Sequence, residues 1–170
     1  MEQIIEEFKK QVISRMEENT SRILKCLDKK SENDLWIRPN RSSNSSGTIL
    51  VHVCGNIRQY IMSAIGGIED TRDRDIEFET KSGFNRAEMA EKVTATLNEA
   101  MKIIGNMDAA SMLKVYSVQG FKLTGMGIVT HVLEHYSYHA GQVIFWTKLL
   151  VNEDLGFYAG IDLNAKNKPA

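Results

Sequence analysis

Three of the four histidines, His131, His135 and His139, recur at four-residue intervals in a stretch whose apolar residues have helical spacing. Imidazoles four apart on a helix stand over one another one turn up, so an adjacent pair can converge on one divalent ion. The fourth, His52, lies on an earlier helical stretch and is available as a third ligand. The two cysteines, Cys26 and Cys54, make neither a disulfide framework nor a thiolate cluster and read as small buried residues.

The helical wheel separates the three neighbours. With Ile128 at zero and ~100° per residue, Val132 falls near ~40°, Val143 near ~60° and Trp146 near ~0°. On that scale His135 at ~340° and His139 at ~20° occupy the middle of the apolar face, while His131 at ~300° is on its flank. Two turns, ~12 Å, separate His131 from His139, too far for one ion. The ligand pair is therefore His131 with His135, or His135 with His139. Facial position favours the second, because a buried imidazole needs a partner whereas a flanking one can use water. A single histidine on an apolar face is more often a satisfied core residue; two in register are harder to bury unless something binds both. On the earlier helix His52, Asn56, Gln59 and Ser63 form a polar strip beside Ile49, Val53, Ile57, Tyr60 and Ala64. That position permits His52 to be a ligand without requiring it.

An overlapping motif competes. His131-Val-Leu-Glu134-His135 matches H-x-x-E-H, in which two histidines bind zinc and the glutamate is a general base for hydrolysis. Such peptidases need a further carboxylate from a downstream helix. After His139 only Glu153, Asp154 and Asp162 remain, in a short glycine-containing tail. This reading is disfavoured, and Glu134 becomes a solvated surface residue.

The elements that must position these groups are helical. Only Pro39 and Pro169 interrupt the chain, and apolar residues recur at three and four rather than two. A first helix is expected over Gln3 to Leu27, carrying Ile4, Ile5, Phe8, Val12, Met16, Ile23, Leu24 and Leu27. Trp36 to Ser46 reads as a connection ending in a cap at Ser45 or Ser46, followed by helix two over Gly47 to Ile68. The charged, glycine-bounded stretch Gly66 to Gly83 reads as an exposed loop contributing little core. Helix three runs from a cap at Asn85 to a stop at Gly105, through Met89, Val93, Leu97, Met101 and Ile104. Lys114 to Thr124 alternates weakly and reads as extended or as an irregular crossover. Helix four spans Gly125 to Val151, with a loop-like tail. The fold class is all-α: a four-helix bundle with one or two long crossover connections, whose facing helices project ligands inward.

Composition narrows the partners. With 170 residues, 42% hydrophobic and 25% charged, the chain reads as one domain over residues 1–170. A net charge of -1 with interspersed signs provides no basic stripe for nucleic acid and no polybasic flank for membrane lipid. Met1 is followed by Glu2, Glu6 and Glu7 rather than by a basic and apolar leader, and no stretch approaches a membrane span. A cytoplasmic protein with a small-molecule substrate is the expectation.

The run HVLEHYSYHAGQ from His131 to Gln142, SSGTILVHVCGNIRQYI around His52 and the preceding LWIRPN resemble the DinB/YfiT-like superfamily of small metal-dependent proteins. The resemblance extends from helix one to about Val151 and is most specific in the HxxxHxGQ element and the single early histidine of helix two. It implies a four-helix bundle in which His52, His135 and His139 hold a divalent ion, nickel or zinc, and it points to a homodimer. Some members transfer low-molecular-weight thiols to small electrophiles; many have no established activity. The implied chemistry is a thiol, or water, activated beside the ion. Hydrolysis, and a non-catalytic metal-binding or stress-response module, are the alternatives. Asn56, Tyr60 and Gln142 are candidates for orienting ligands or touching substrate. Cys54, ~200° around the helix from His52, is not. Trp36 and Trp146 read as core anchors.

Overall fold

The computed structural model describes residues 2–168. Helix α1 (Glu2–Lys29) buries Ile5, Val12, Met16, Ile23 and Leu27 on one stripe, as their spacing requires. Ile4 falls off that stripe and faces solvent. Helix α2 (Ser46–Ile57) starts where Ser45 accepts a hydrogen bond from the Thr48 amide, then continues as a π-helical turn over Arg58–Ser63. A short helix α3 (Arg74–Glu79), capped by Asp73, lies within the stretch expected to be an exposed loop. Helix α4 (Arg86–Gly105) begins in a reciprocal cap between Asn85 and Glu88 and buries Met89, Val93, Leu97 and Ile104. Helix α5 (Ala109–Leu113) follows, and α6 (Gly125–Val151) closes the set from a cap at Thr124.

The ambiguous segment is a β-hairpin. Strands β1 (Val115–Val118) and β2 (Phe121–Thr124) pair antiparallel, with Val118 opposite Phe121. The turn between them has positive φ at both Gln119 and Gly120, the pattern that matches strand twist in a two-residue loop. Its alternation is weak because Val118 is the one strand residue fully buried.

Four helices form the bundle. Around it the neighbours are α1, α6, α2 and α4, so α1 faces α2, and α4 faces α6, across the diagonals. Lys9 near the start of α1 donates to the carbonyls of Gly105 and Met107 at the end of α4, which makes that pair antiparallel. Thr20 meets Tyr136 at 2.8 Å and Lys30 meets Thr147 at 2.6 Å, so α1 and α6 run parallel. Tyr60 late in α2 stacks on His131 early in α6, so those two run antiparallel. Helices α2 and α4 are therefore parallel neighbours, and residues 64–85 are the long crossover joining them. No helix among the described residues is long and apolar enough to cross a membrane.

Candidate metal centre

The antiparallel packing of α2 on α6 brings His52 opposite two successive turns of α6. His52, His135 and His139 each offer one ring nitrogen, and these nitrogens lie within 4.8 Å of one another. Ring centroids are 4.4 Å apart for His135 and His139, 5.0 Å for His52 and His135, and 5.1 Å for His52 and His139. His131 lies outside this group, half-buried and stacked on Tyr60 with centroids 4.6 Å apart. Between the two pairs left open by spacing, the fold assembles His135 and His139 with His52. Glu134 is exposed and lines a shallow surface groove with Arg15, Asn19 and Arg22, away from the histidines.

Each imidazole is held differently. The Nδ1 of His52 is 2.9 Å from Glu77 Oε2, and that of His139 is 2.8 Å from Gln142 Oε1. A carboxylate or amide oxygen accepts, so both Nδ1 atoms carry the proton, and in the neutral form of each ring Nε2 is the lone pair. The His52 Nε2 is 3.1 Å from the His135 Nε2. Two ligands at ~2.0–2.1 Å from one ion stand roughly 3 Å apart, so this spacing suits a shared cation. His135 Nδ1 is buried without a hydrogen-bond partner. Burial above all, with neighbouring His139 and His52 adding to it, depresses the His135 pKa to about 3. Burial likewise lowers His139. These rings are neutral at physiological pH, the protonation state a metal requires of them. An under-satisfied ring among converging neutral nitrogen donors fits a divalent ion such as zinc or nickel, and three protein ligands leave further positions open.

Sequence reasoning missed the group that supports His52. Glu77, on α3, is buried; burial pushes its carboxyl up, but bonds from Arg72 and His52 outweigh this and hold it below its usual range. Arg72 grips it with two bonds, Nε to Oε1 at 2.7 Å and Nη2 to Oε2 at 2.9 Å. The Phe78 ring lies against His52, centroids 4.6 Å apart and tilted by 36°, with the Arg74 guanidinium 4.7 Å over the Phe78 ring. One signal was present. Gly55 sits in mid-helix, where glycine costs ~1 kcal/mol against alanine. A Cβ there would overlap Glu77 Oε1 and lie 2.7 Å from its Cδ.

The remaining candidates fall around this centre. Asn56 is buried one turn beyond His52 with Oδ1 unpartnered. Tyr60 donates to Gln119 Oε1 at 2.8 Å, tying α2 to the hairpin rather than to the three histidines. Gln142 bonds His139 and also lines a groove of about 450 Å³ with Ile49, Phe145, Trp146 and Asn44. Trp146 is half-buried on that groove, and Trp36, also half-buried, donates to the Phe84 carbonyl. Cys54 faces elsewhere, its thiol pushed up to about 11 by burial.

A family described as "Protein of unknown function (DUF1572)" matches residues 3–159. No curated protein matches the chain. Among solved structures, a DinB-like protein of Bacillus subtilis, YjoA, superimposes with a TM-score of 0.65 at 13% identity, covering 85% of this chain and 94% of that one. That likeness shows the fold.

Proposed function

Since the chain belongs to the DUF1572 family and carries the DinB-like fold, we propose that it is a metal-dependent enzyme acting on a low-molecular-weight thiol and a small electrophile. The observation that carries this reading is the convergence of three imidazoles, two of them with Nδ1 already committed to Glu77 and Gln142. His52, His135 and His139 would hold the ion. When bound, it supplies a Lewis acid that lowers the pKa of a thiol or water and polarises an electrophile beside it. The chain's own groups do the rest. Glu77 and Gln142 fix the rings that present their lone pairs. Gln142 also reaches the groove, whose Ile49, Phe145 and Trp146 offer an apolar floor and whose Asn40, Ser43 and Asn44 offer neutral polar contacts. Phe78 covers one side of His52 and limits water on that side.

The test measures loss of free thiol with a panel of small electrophiles, with nickel(II) or zinc(II) supplied or chelated. Metal-dependent acceleration by wild type, absent in His135→Ala, supports the reading. Stoichiometric metal binding without acceleration of any thiol or hydrolytic reaction would leave a non-catalytic metal-binding protein and sink the enzyme proposal.

A further inference from the structure

Helix α2 presents His52 and Gly55, and the π-helical turn that continues it presents Gln59, three and four residues apart, and the crossover between α2 and α4 lays residues 70–77 against them. The Glu77 carboxylate is at the centre of these contacts: Arg72 Nη2 approaches its Oε2 at 2.9 Å and lies farther, 3.3 Å, from His52 Nδ1, whose own bond goes to that same Oε2. Arg72 is gripped in turn: its Nη1 donates to Gln59 Oε1 at 2.8 Å, and its backbone amide to Asp70 Oδ1 at 3.1 Å. Gln59 Nε2 closes the ring onto Asp70 Oδ2 at 2.9 Å. The Arg72 and Glu77 side chains are 3% and 8% exposed, so this is a buried pair. Burying both charges needs a compensating role or close geometric satisfaction. The geometry supplies the satisfaction: both Glu77 oxygens are bonded, one to Arg72 alone and one to Arg72 and His52. The notch at Gly55 is what lets the carboxylate reach the ring.

We infer that Glu77, seated by Arg72 in the Gly55 notch, is a positioning residue that locks His52 in the Nδ1-protonated tautomer and so aims its Nε2 at the other two histidines. This rests on the metal reading given above. The pair is neutral overall, so it orients His52 without cancelling the charge of an ion held there. Carboxylate partners of metal-bound histidines typically change affinity by 10–100-fold when removed. His139 has only the weaker amide acceptor of Gln142, and His135 has none. The strap therefore sets the orientation of the ligand on which the other two close.

Two measurements on the full chain separate this from a purely structural role. The first is calorimetric titration of wild type, Glu77→Gln and Arg72→Gln/Glu77→Gln with zinc(II) and with nickel(II). The double variant removes the stranded guanidinium, so a folded comparison remains if the single variant is unstable. The second is nitrogen-15 spectroscopy of the His52 ring in metal-free protein, which reports the tautomer directly. The expected result is a 10–100-fold weaker affinity in both variants, with His52 wholly Nδ1-protonated in wild type and mixed in the variants. Unchanged affinity, or an unchanged tautomer in both variants, would overturn the assignment. If wild type binds neither ion, the metal reading fails by itself. The ring spectrum then decides whether Glu77 positions His52 at all.

Discussion

Replacing Gly55 with alanine should damage this protein, although alanine is the better helix former. In an unhindered mid-helix position the change would add ~1 kcal/mol. Here the new methyl would overlap Glu77 Oε1, lie 2.7 Å from Glu77 Cδ and 3.3 Å from Arg72 Nε. The carboxylate must leave, and its departure strands a buried guanidinium and an imidazole Nδ1–H. Breaking such a pair costs ~3–5 kcal/mol, so the net loss is ~2–4 kcal/mol. For a chain of this size that lowers the melting temperature by ~4–16 °C. The assay is thermal and urea unfolding of metal-free wild type, Gly55→Ala, Glu77→Ala and the double variant. In the Glu77→Ala background the notch is empty, and the same alanine should be neutral or stabilising. The coupling between the two sites should therefore be several kcal/mol. A Gly55→Ala protein as stable as wild type, or one equally destabilised in both backgrounds, would show that the carboxylate is not seated where the structure has it.

Three further outcomes can be measured. Zinc(II) at a hundred times its dissociation constant adds ~2.7 kcal/mol to the folded state, or ~5–11 °C in a melting scan; His52→Ala, His135→Ala and His139→Ala should lose that shift and His131→Ala should keep it. Metal-free stability should fall as pH drops from about 6.5 towards 3, since the unfolded chain takes up a proton at residue 135 that the native ring, depressed to about 3 by burial, refuses. The lowered Glu77 carboxyl acts in the same direction, and urea midpoints at several pH values, compared with His135→Phe, isolate the imidazole's share. Lys30 is buried with Thr147 Oγ1 as its side-chain partner, and burial lowers its pKa from 10.5 to about 8. Its charge therefore costs the folded state roughly 3 kcal/mol at pH 7. That cost is relieved as pH rises from about 8 to 10.5, so the stability gap between wild type and Lys30→Met should narrow by that amount over this window.

The long helices were legible because their signals are local. Met89, Val93, Leu97 and Ile104 give α4 its stripe, and Asn85 with Glu88 marks its start within the same few residues. The wheel placed His135 and His139 on the inward face of α6 and His131 on its flank for the same reason. His52 was different. Its meeting with His135 depends on α2 and α6 being antiparallel neighbours, which no period in either helix encodes, and only the family resemblance pointed to it. The stretch from Arg72 to Asp75 alternates charge as a solvated loop does, yet Arg72 is buried by pairing with Glu77, five residues on. Complementarity of that kind has no periodicity. Its one local trace is Gly55, twenty-two residues upstream, a helix-weakening residue whose missing Cβ makes the space.

The three rings are unequally supported, and that inequality bears on how the centre works. His52 is fixed by a carboxylate that is itself fixed by an arginine, and His139 by the amide of Gln142 on its own helix. His135 has no acceptor for its Nδ1 among the described residues, and there its one side-chain hydrogen-bond contact is with the His52 Nε2. In metal-free protein one proton must sit between those two nitrogens or their lone pairs must face each other at 3.1 Å. The clamp on His52 disfavours protonating its Nε2, which leaves His135 to donate with Nε2 and keep Nδ1 bare. A cation held by the three rings would reverse that choice, because Nε2 would then give its lone pair and Nδ1 would take the proton. On the metal reading, a tautomer change at His135 is thus the local rearrangement that loading would demand, while the other two rings already hold their Nδ1 protons towards Glu77 and Gln142.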